Sequence, residues 1–344
     1  MNSKKYSKTE INKAGDILRK RDSTEEKINE AFEKLSYWRE IHYYPTKIFK
    51  RRLEKTSKLI DPKSIVSSRL KRTPSILKKI DRLTTRLTQI QDIAGCRAVL
   101  DNTELINKLY QEYYKKGDLK HKLKRETNYI TYPKEDGYRG IHLIYEFKSD
   151  KEAKKKYNGL QVEIQIRSKI QHIWSTAVET TSFFIGQALK LNEGEEEWKE
   201  FFKLVSSAFA KMEKCPIING TPDNEETLYK LIKEKEKKLD VIKKMETWMK
   251  SIRFIDTTKN KNKNIYLLKL NLDLREMNII EYSERQENKA IEDYLSYEKD
   301  IYNKKGYDVV LVKTNTLKDL KKAYPNYFLD TKDFVELLKK IVVS

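Results

Sequence analysis

Histidine and cysteine are scarce in this chain, and their absence is uneven. All four histidines (His42, His121, His142 and His172) lie in the first half, and beyond Cys215 neither residue occurs. That excludes a zinc site in the last third, because structural zinc draws its ligands from Cys and His. Two cysteines, Cys96 and Cys215, cannot build a disulfide framework and point to a reducing compartment. No apolar run approaches the ~18–20 residues of a membrane span. The N-terminal MNSKKYSKTE has no apolar secretion segment. A cytoplasmic protein with no membrane partner is expected.

What is present is length and positive charge. At 344 residues there is room for two domains, and 36% charged with 38% hydrophobic residues describes a folded chain rather than a disordered one. The net charge of +20 favours a polyanionic partner, although a lysine-rich solvated surface would read the same way. The charge is concentrated: Ile41 to Ile90 holds 14 Lys and Arg against 3 Asp and Glu. A second basic run comprises Lys115, Lys116, Lys120, Lys122, Lys124 and Arg125.

Periodicity predicts helices over the first 60 or so residues, opened by Ser23-Thr24-Glu25-Glu26 and broken at Tyr43-Tyr44-Pro45. Ser68 to Arg82 reads as an extended piece turning into a helix at Pro74. Ile93 to Leu100 reads as a buried strand in which Gly95 permits close backbone approach. Thr103 to Lys116 is helical, Tyr129 to Tyr132 extended, and IHLIYEF a strand after a Gly-rich loop. Leu160 to Arg167 alternates, with Glu163, Gln165 and Arg167 opposite the apolar residues. Helices follow from Ile170 and from the EGEEEWKE run. Residues 1–214 thus form an α+β domain with a mixed sheet, and 215–227 a linker. Residues 228–344 form a second, small α+β domain: one long helix from Leu228 to Ile252, a KNKNKN turn, three strands and two further helices.

Four cationic or hydroxyl side chains can converge at the first basic run. Arg69 and Lys71 share a strand face, and Ser75 and Lys79 share a helix face. Asp92 stands at a strand entrance. Glu163 on a central strand is costly unless paired or metal-bound, so either a structural ion pair or a metal or catalytic role is open to it. On spacing alone, Tyr324 and Tyr327 in a YPNY turn are two aromatics pinning a loop to the core.

The ordered set RLKRTPSILKK, DIAGCRAV, YITYPKEDGYRGIH, VEIQIRS and the W-x4-E of Trp174 and Glu179 resembles the synthetase domain of the RelA/SpoT family. The resemblance covers roughly residues 60–214. It implies a nucleotidyltransferase-like fold and pyrophosphate transfer from ATP, with Mg²⁺ and no zinc. No His-Asp pair occurs, so the family's hydrolase half has no counterpart. Arg69, Lys71, Ser75 and Lys79 resemble the ATP contacts and Arg97 the adenine-stacking arginine. Asp92 and Glu163 resemble the Mg²⁺ carboxylates, with Glu163 also positioned to take the acceptor hydroxyl's proton. Lys134, Tyr138 and His142 belong to the acceptor side. Glu179-Thr180 stands where the family usually has Glu-His, and Arg139-Gly140 where Arg-Ser is common.

The acceptor is open between a free nucleotide, as in alarmone synthetases, and the 3′-terminal adenosine of tRNA, as in a toxic branch. Lys115, Lys116, Lys122, Lys124 and Arg125 are the candidate tRNA contacts. The whole-chain plan resembles the CapRel family of fused toxin–antitoxins, in which a C-terminal pseudo-zinc-finger domain blocks the ATP site until a phage major capsid protein binds. That resemblance assigns Tyr324 and Tyr327 to autoinhibition. A catalytically inactive binding module is a third expectation, against which the intact carboxylate and cation set argues.

Overall fold

Strand-forming and helix-forming runs mix along the chain and meet in one sheet. The computed structural model describes residues 6–20, 22–83, 85–115, 120–188, 195–250, 253–256, 264–271, 274–301, 304, 307–314, 316–328 and 330–343. In order they form α1 (Lys8–Lys20), α2 (Glu25–Ile60), β1 (Ile65–Leu70), α3 (Thr73–Leu83), β2 (Ala94–Leu100), α4 (Thr103–Lys115) and β3 (Lys122–Asn128). Then come β4 (Ile141–Glu146), the short α5 (Glu152–Lys155), β5 (Gln161–Ser168), α6 (Lys169–Ala188) and α7 (Glu195–Met212). The last part holds α8 (Glu225–Leu239), α9 (Val241–Lys250), β6 (Arg253–Asp256), β7 (Ile265–Asn271) and β8 (Glu276–Tyr282). It closes with α10 (Glu287–Asp300), β9 (Tyr307–Lys313), α11 (Leu317–Ala323) and α12 (Lys332–Val343). Among the described residues no helix is long and apolar enough to cross a membrane.

The fold is α+β. Nine described strands form a mixed sheet in the order β3-β4-β5-β2-β1-β9-β7-β8-β6, so the C-terminal strands continue the sheet of the N-terminal ones. The β2–β5 and β6–β8 pairs are parallel and the others antiparallel. Residues in register share a face of the sheet. One face of the N-terminal strands carries Val162, Ile164 and Ile166 and is buried beneath α2 and α4 with Phe49, Leu53, Ile106 and Leu109. On the opposite face Arg69 pairs with Gly95, Gly95 with Glu163 and Arg97 with Gln165, so this side is polar. It is the face on which a charged site can be built. Across the β1–β9 pair, Arg69 lies opposite Val312, and there the same face turns apolar. Tyr266, Leu268, Val310 and Val312 pack on Tyr324 and Phe328.

Several expectations need correction. Pro45 does not break the helix that opens at Glu25: α2 runs through it, because Leu35, Trp38, Phe49 and Leu53 are buried on both sides and their packing carries the helix past a residue that ordinarily costs about 3 kcal/mol. Thr24 caps α2 by backbone geometry alone, without a side-chain bond. The basic run at Lys122–Asn128 is a strand, whereas Tyr129 to Tyr132 turns: the amide of Tyr132 bonds the carbonyl of Asn128 at 3.1 Å. The long helix after Leu228 is two helices, parted by Asp240 in the left-handed conformation (φ 52°). The expected 215–227 linker is irregular only as far as Asn224, where α8 takes over, and it is packed, with Ile218 buried and its amide bonded to Ser207 Oγ at 3.1 Å. Most of the KNKNKN stretch lies outside the described residues.

One buried network ties the two ends of the chain together. Arg39 on α2 is 1% exposed and pairs with Glu298 on α10, 4% exposed. Arg39 also donates to Tyr294 Oη at 2.6 Å and to Thr73 Oγ1 at 3.0 Å. Glu298 in turn accepts the backbone N–H of Thr73 at 2.6 Å and its hydroxyl at 2.9 Å. A carboxylate from the C-terminal part therefore satisfies an orphan amide at the start of α3, the helix that carries Ser75 and Lys79. Removing one partner strands a buried charge. Glu298→Ala is expected to lower stability by about 3–5 kcal/mol in urea unfolding, and Arg39→Met with Glu298→Leu to recover much of it.

Candidate functional site

Three short pieces of chain put their charges on the polar face. The amide of Lys71, just past β1, bonds the carbonyl of Ile93 at 2.8 Å, which brings its side chain beside Asp92. Lys71 Nζ lies 2.8 Å from Asp92 Oδ2, and Lys79 Nζ from α3 lies 2.9 Å from Oδ1. Both carboxylate oxygens of Asp92 are thus held by ammonium groups. Ser75 lies half-buried on α3. Arg69, Lys71, Asp92, Gly95, Arg97 and Glu163 line one cavity with Tyr324. Gly95 is not demanded by crowding, since a Cβ there would make an ordinary 3.4 Å contact with the Glu163 carbonyl. It would, however, project from the same face as Glu163 and take up part of that cavity.

Glu163 sits in an oriented chain of hydrogen bonds. His142 Nδ1 lies 2.9 Å from its Oε1, and Gln165 Nε2 donates to Oε2 at 2.7 Å. Burial pushes the Glu163 carboxyl up, but the His142 hydrogen bond and charge, Gln165 and Lys71 outweigh it and hold it down at about 2. The same ring turns Nδ1 to the carboxylate and Nε2 to Tyr138 Oη, so His142 bridges the two side chains. Arg167 Nη2 donates to that phenol at 2.7 Å and to Gln165 Oε1 at 3.2 Å. The loop bearing Tyr138 is fixed at Gly137 (φ 96°), where a Cβ would stand 2.7 Å from Trp174. Ser206 Oγ bonds the Gly137 carbonyl at 2.6 Å. Lys134 Nζ lies 5.1 Å from the Tyr138 ring and 4.8 Å from the Tyr129 ring.

Tyr324 closes the other end. Its ring, 2% exposed, lies 5.9 Å from the Arg69 guanidinium and 5.7 Å from that of Arg97. Burial, with Arg167 and Arg69 nearby, pulls the Arg97 guanidinium down to about 10. Glu179 from the W-x4-E phrase and Tyr324 act in the opposite sense. His172 on α6 bonds the carbonyl of Lys322 at 3.0 Å and is kept neutral, near 3, by burial and by Arg97 and Arg167. The free volume at Asp92 and Glu163 is only about 70 Å³, well below the ~300–1,000 Å³ of a pocket that holds a drug-sized ligand. A roomier cavity of about 320 Å³ lies behind the Tyr324 segment, against Asp61, Lys169, His172, Lys322 and Phe334, and has no part of the carboxylate pair.

Among the described residues no group of three or more His, Cys, Asp and Glu gathers as a metal cage. Two hard carboxylates, Asp92 and Glu163, on one cavity are a donor set that suits Mg²⁺, which takes one or two carboxylates and fills its shell with water and phosphate oxygens.

The structure brings Arg69, Lys71, Lys79, Asp92, Arg97 and Glu163 together, and sets Lys134, Tyr138 and His142 beside them. Lys122, Lys124 and Arg125 are exposed on β3, at the sheet edge. Lys116 and the side chain of Lys115 lie outside the described residues, as does the side chain of Tyr327. Gln165, Arg167 and Tyr129 were not singled out from sequence. The alternation of β5 put Gln165 and Arg167 on Glu163's side and was the available signal.

Residues 68–183 match a family model described as "Region found in RelA / SpoT proteins". Two curated relatives from Bacillus subtilis (strain 168) are similar to the chain. The GTP pyrophosphokinase YjbM is 30% identical over 125 residues, and the GTP pyrophosphokinase YwaC 31% over 126. The alignments take in 36% and 34% of this chain, which spans 57% and 56% of the relatives' length. Among solved structures, small alarmone synthetase 1 from Bacillus subtilis superposes with a TM-score of 0.43 at 23% identity, covering 51% of this chain and 89% of that one. The stretch that matches the RelA/SpoT model, residues 68–183, takes in β2, β4, β5 and the end of β1, which build the polar face.

Two outcomes follow. Tyr324→Ala is expected to raise the affinity of the full chain for a non-hydrolysable ATP analogue at least about tenfold by titration calorimetry, since about 1.4 kcal/mol of lost obstruction suffices. Because the Glu163 carboxyl is depressed, its contribution to stability is present above the ordinary carboxylate range and fades as pH falls toward about 2. The urea-midpoint gap between the native chain and Glu163→Gln should narrow from about pH 5 to about pH 3.

Proposed function

We propose that this chain is an ATP-dependent pyrophosphotransferase whose acceptor is the 3′-terminal adenosine of tRNA, so that its activity inhibits translation. Residues 228–344 hold it inactive as an antitoxin and sensor of the pseudo-zinc-finger kind, and binding of a phage major capsid protein releases it. The observation that carries the proposal is Tyr324, whose ring lines the cavity shared by Asp92 and Glu163, leaves it only about 70 Å³, and lies near the Arg69 and Arg97 guanidiniums. An aromatic ring flanked by two guanidiniums stands in for an adenine.

In the open state the ring leaves and ATP takes its place. Lys71, Lys79 and Arg69 then face the triphosphate, and Arg97 the adenine. Asp92 and Glu163 would hold Mg²⁺, which supplies charge neutralisation at the transferring phosphates. The acceptor hydroxyl oxygen bonds to the β-phosphorus, the bond from that phosphorus to the α-phosphate bridging oxygen breaks, and AMP departs with the electron pair. Ionised Glu163, oriented by His142 and Gln165, receives the hydroxyl proton. Catalysis of this type is mostly positioning and electrostatics.

A second reading, transfer to GDP or GTP as in alarmone synthesis, is favoured by the names of both curated relatives, which are GTP pyrophosphokinases. The decisive assay gives the Tyr324→Ala chain γ-labelled ATP with deacylated tRNA and GDP together. Label is expected in tRNA, and Asp92→Ala in the same background should lose it by at least about a hundredfold. Label in GDP alone would establish the second reading instead.

A further inference from the structure

The register of the sheet extends the catalytic face beyond the residues that hold it. On β3, Arg125 lies opposite Ile144 of β4, and Ile144 opposite Glu163 of β5. Thr127 likewise lies opposite His142, and His142 opposite Gln165. Arg125 and Thr127 therefore share the face of Glu163, two strand spacings or about 10 Å away. β3 is the edge of the sheet, and Lys122, Lys124 and Arg125 are all exposed on it. Lys124 has an acidic neighbour in Glu146, at 3.5 Å.

The turn that follows β3 leads from this basic edge back to the acceptor side. Asn128 Oδ1 accepts the amides of Ile130 at 3.0 Å and Thr131 at 3.2 Å. The amide of Tyr132 bonds the Asn128 carbonyl at 3.1 Å. This bonded turn holds Tyr132 out in solvent, 77% exposed. A single exposed aromatic is ordinary on a protein surface. Here it stands on a fixed turn between a basic strand and Lys134, whose ammonium lies over the Tyr129 and Tyr138 rings. Exposed aromatics interleaved with cations are how proteins bind single-stranded nucleic acid: phosphates meet the cations, and bases stack on the rings.

We infer that Tyr132 and Arg125 form a docking track for the single-stranded 3′ end of an RNA, Tyr132 stacking a base that precedes the reacting nucleotide and Arg125 holding a backbone phosphate. The inference rests on the tRNA reading above and names the part of the acceptor side that a free nucleotide does not reach. It gives the acceptor side two zones. Tyr138, His142 and Glu163 handle the terminal nucleoside, while the β3 edge and its turn handle the strand behind it.

The test uses the full chain carrying Tyr324→Ala. Binding of a fluorescent ACCA-3′ tetranucleotide is followed by anisotropy over a salt series, and label transfer from γ-labelled ATP is measured to tRNA and to GDP. Adding Tyr132→Ala is expected to weaken tetranucleotide binding about tenfold and tRNA labelling in proportion, with ATP-analogue binding unchanged. Tyr132→Trp should restore both. Arg125→Gln should weaken binding and flatten the salt dependence by about one phosphate's worth. Equal tetranucleotide binding and equal tRNA labelling in Tyr132→Ala and its parent would overturn the track while leaving the tRNA reading intact. Label confined to GDP, with no tetranucleotide binding by the parent, would overturn both.

Discussion

A guanidinium buried to 1% exposure has to be neutralised, and Arg39 is neutralised by a residue 259 positions away. That requirement organises the molecule. Glu298 meets it, and with its other oxygen caps the first turn of α3. α3 brings Lys79 to Asp92, which also holds Lys71. Remove the carboxylate, and a buried charge, a helix start and the placement of Lys79 beside Asp92 all suffer together. The C-terminal part therefore both sets Tyr324 in the wall of the cavity and supports the helix that brings Lys79 to it.

The seat of Tyr324 follows from the change of character along one face of the sheet. Polar on β5, β2 and β1, apolar on β9 and β7, that face offers a ring such as Tyr324 a greasy seat on one side and two guanidiniums on the other. Neither half alone would hold it. Toward β4, the same face presents a linked series of side chains from Arg167 through Tyr138 and His142 to Glu163, which helps hold the carboxylate ionised.

Much of this was legible in the sequence where the signal is local. The alternation of β5 separated Glu163 from its apolar neighbours, and the turn chemistry around Gly137 and Gly140 marked the loop that carries Tyr138. The charged residues bracketing Pro74 marked the cation cluster. What escaped notice depends on contacts between distant segments. A proline inside α2 is tolerated only because both flanks are buried. The strand at Lys122–Asn128 is an edge, exposed and lysine-rich, and so lacks the apolar alternation by which strands are recognised. The pairing of β1 with β9, the Arg39–Glu298 pair and the seat of Tyr324 each join residues more than 200 positions apart, and no window on the sequence spans them.

The sheet is unevenly stitched. Six registered pairs join β1 to β2 and seven join β7 to β9, but β1 and β9 meet through only two, Ser68 with Lys313 and Arg69 with Val312. In mechanical terms this is the thinnest seam of the sheet, reinforced outside it by the Arg39–Glu298 network, and one of its rungs includes Arg69, whose side chain lies against the Tyr324 ring. One of the two rungs thus ends on a residue that also faces the Tyr324 ring, and the six-rung ladder on the other edge of β1 holds that residue in place.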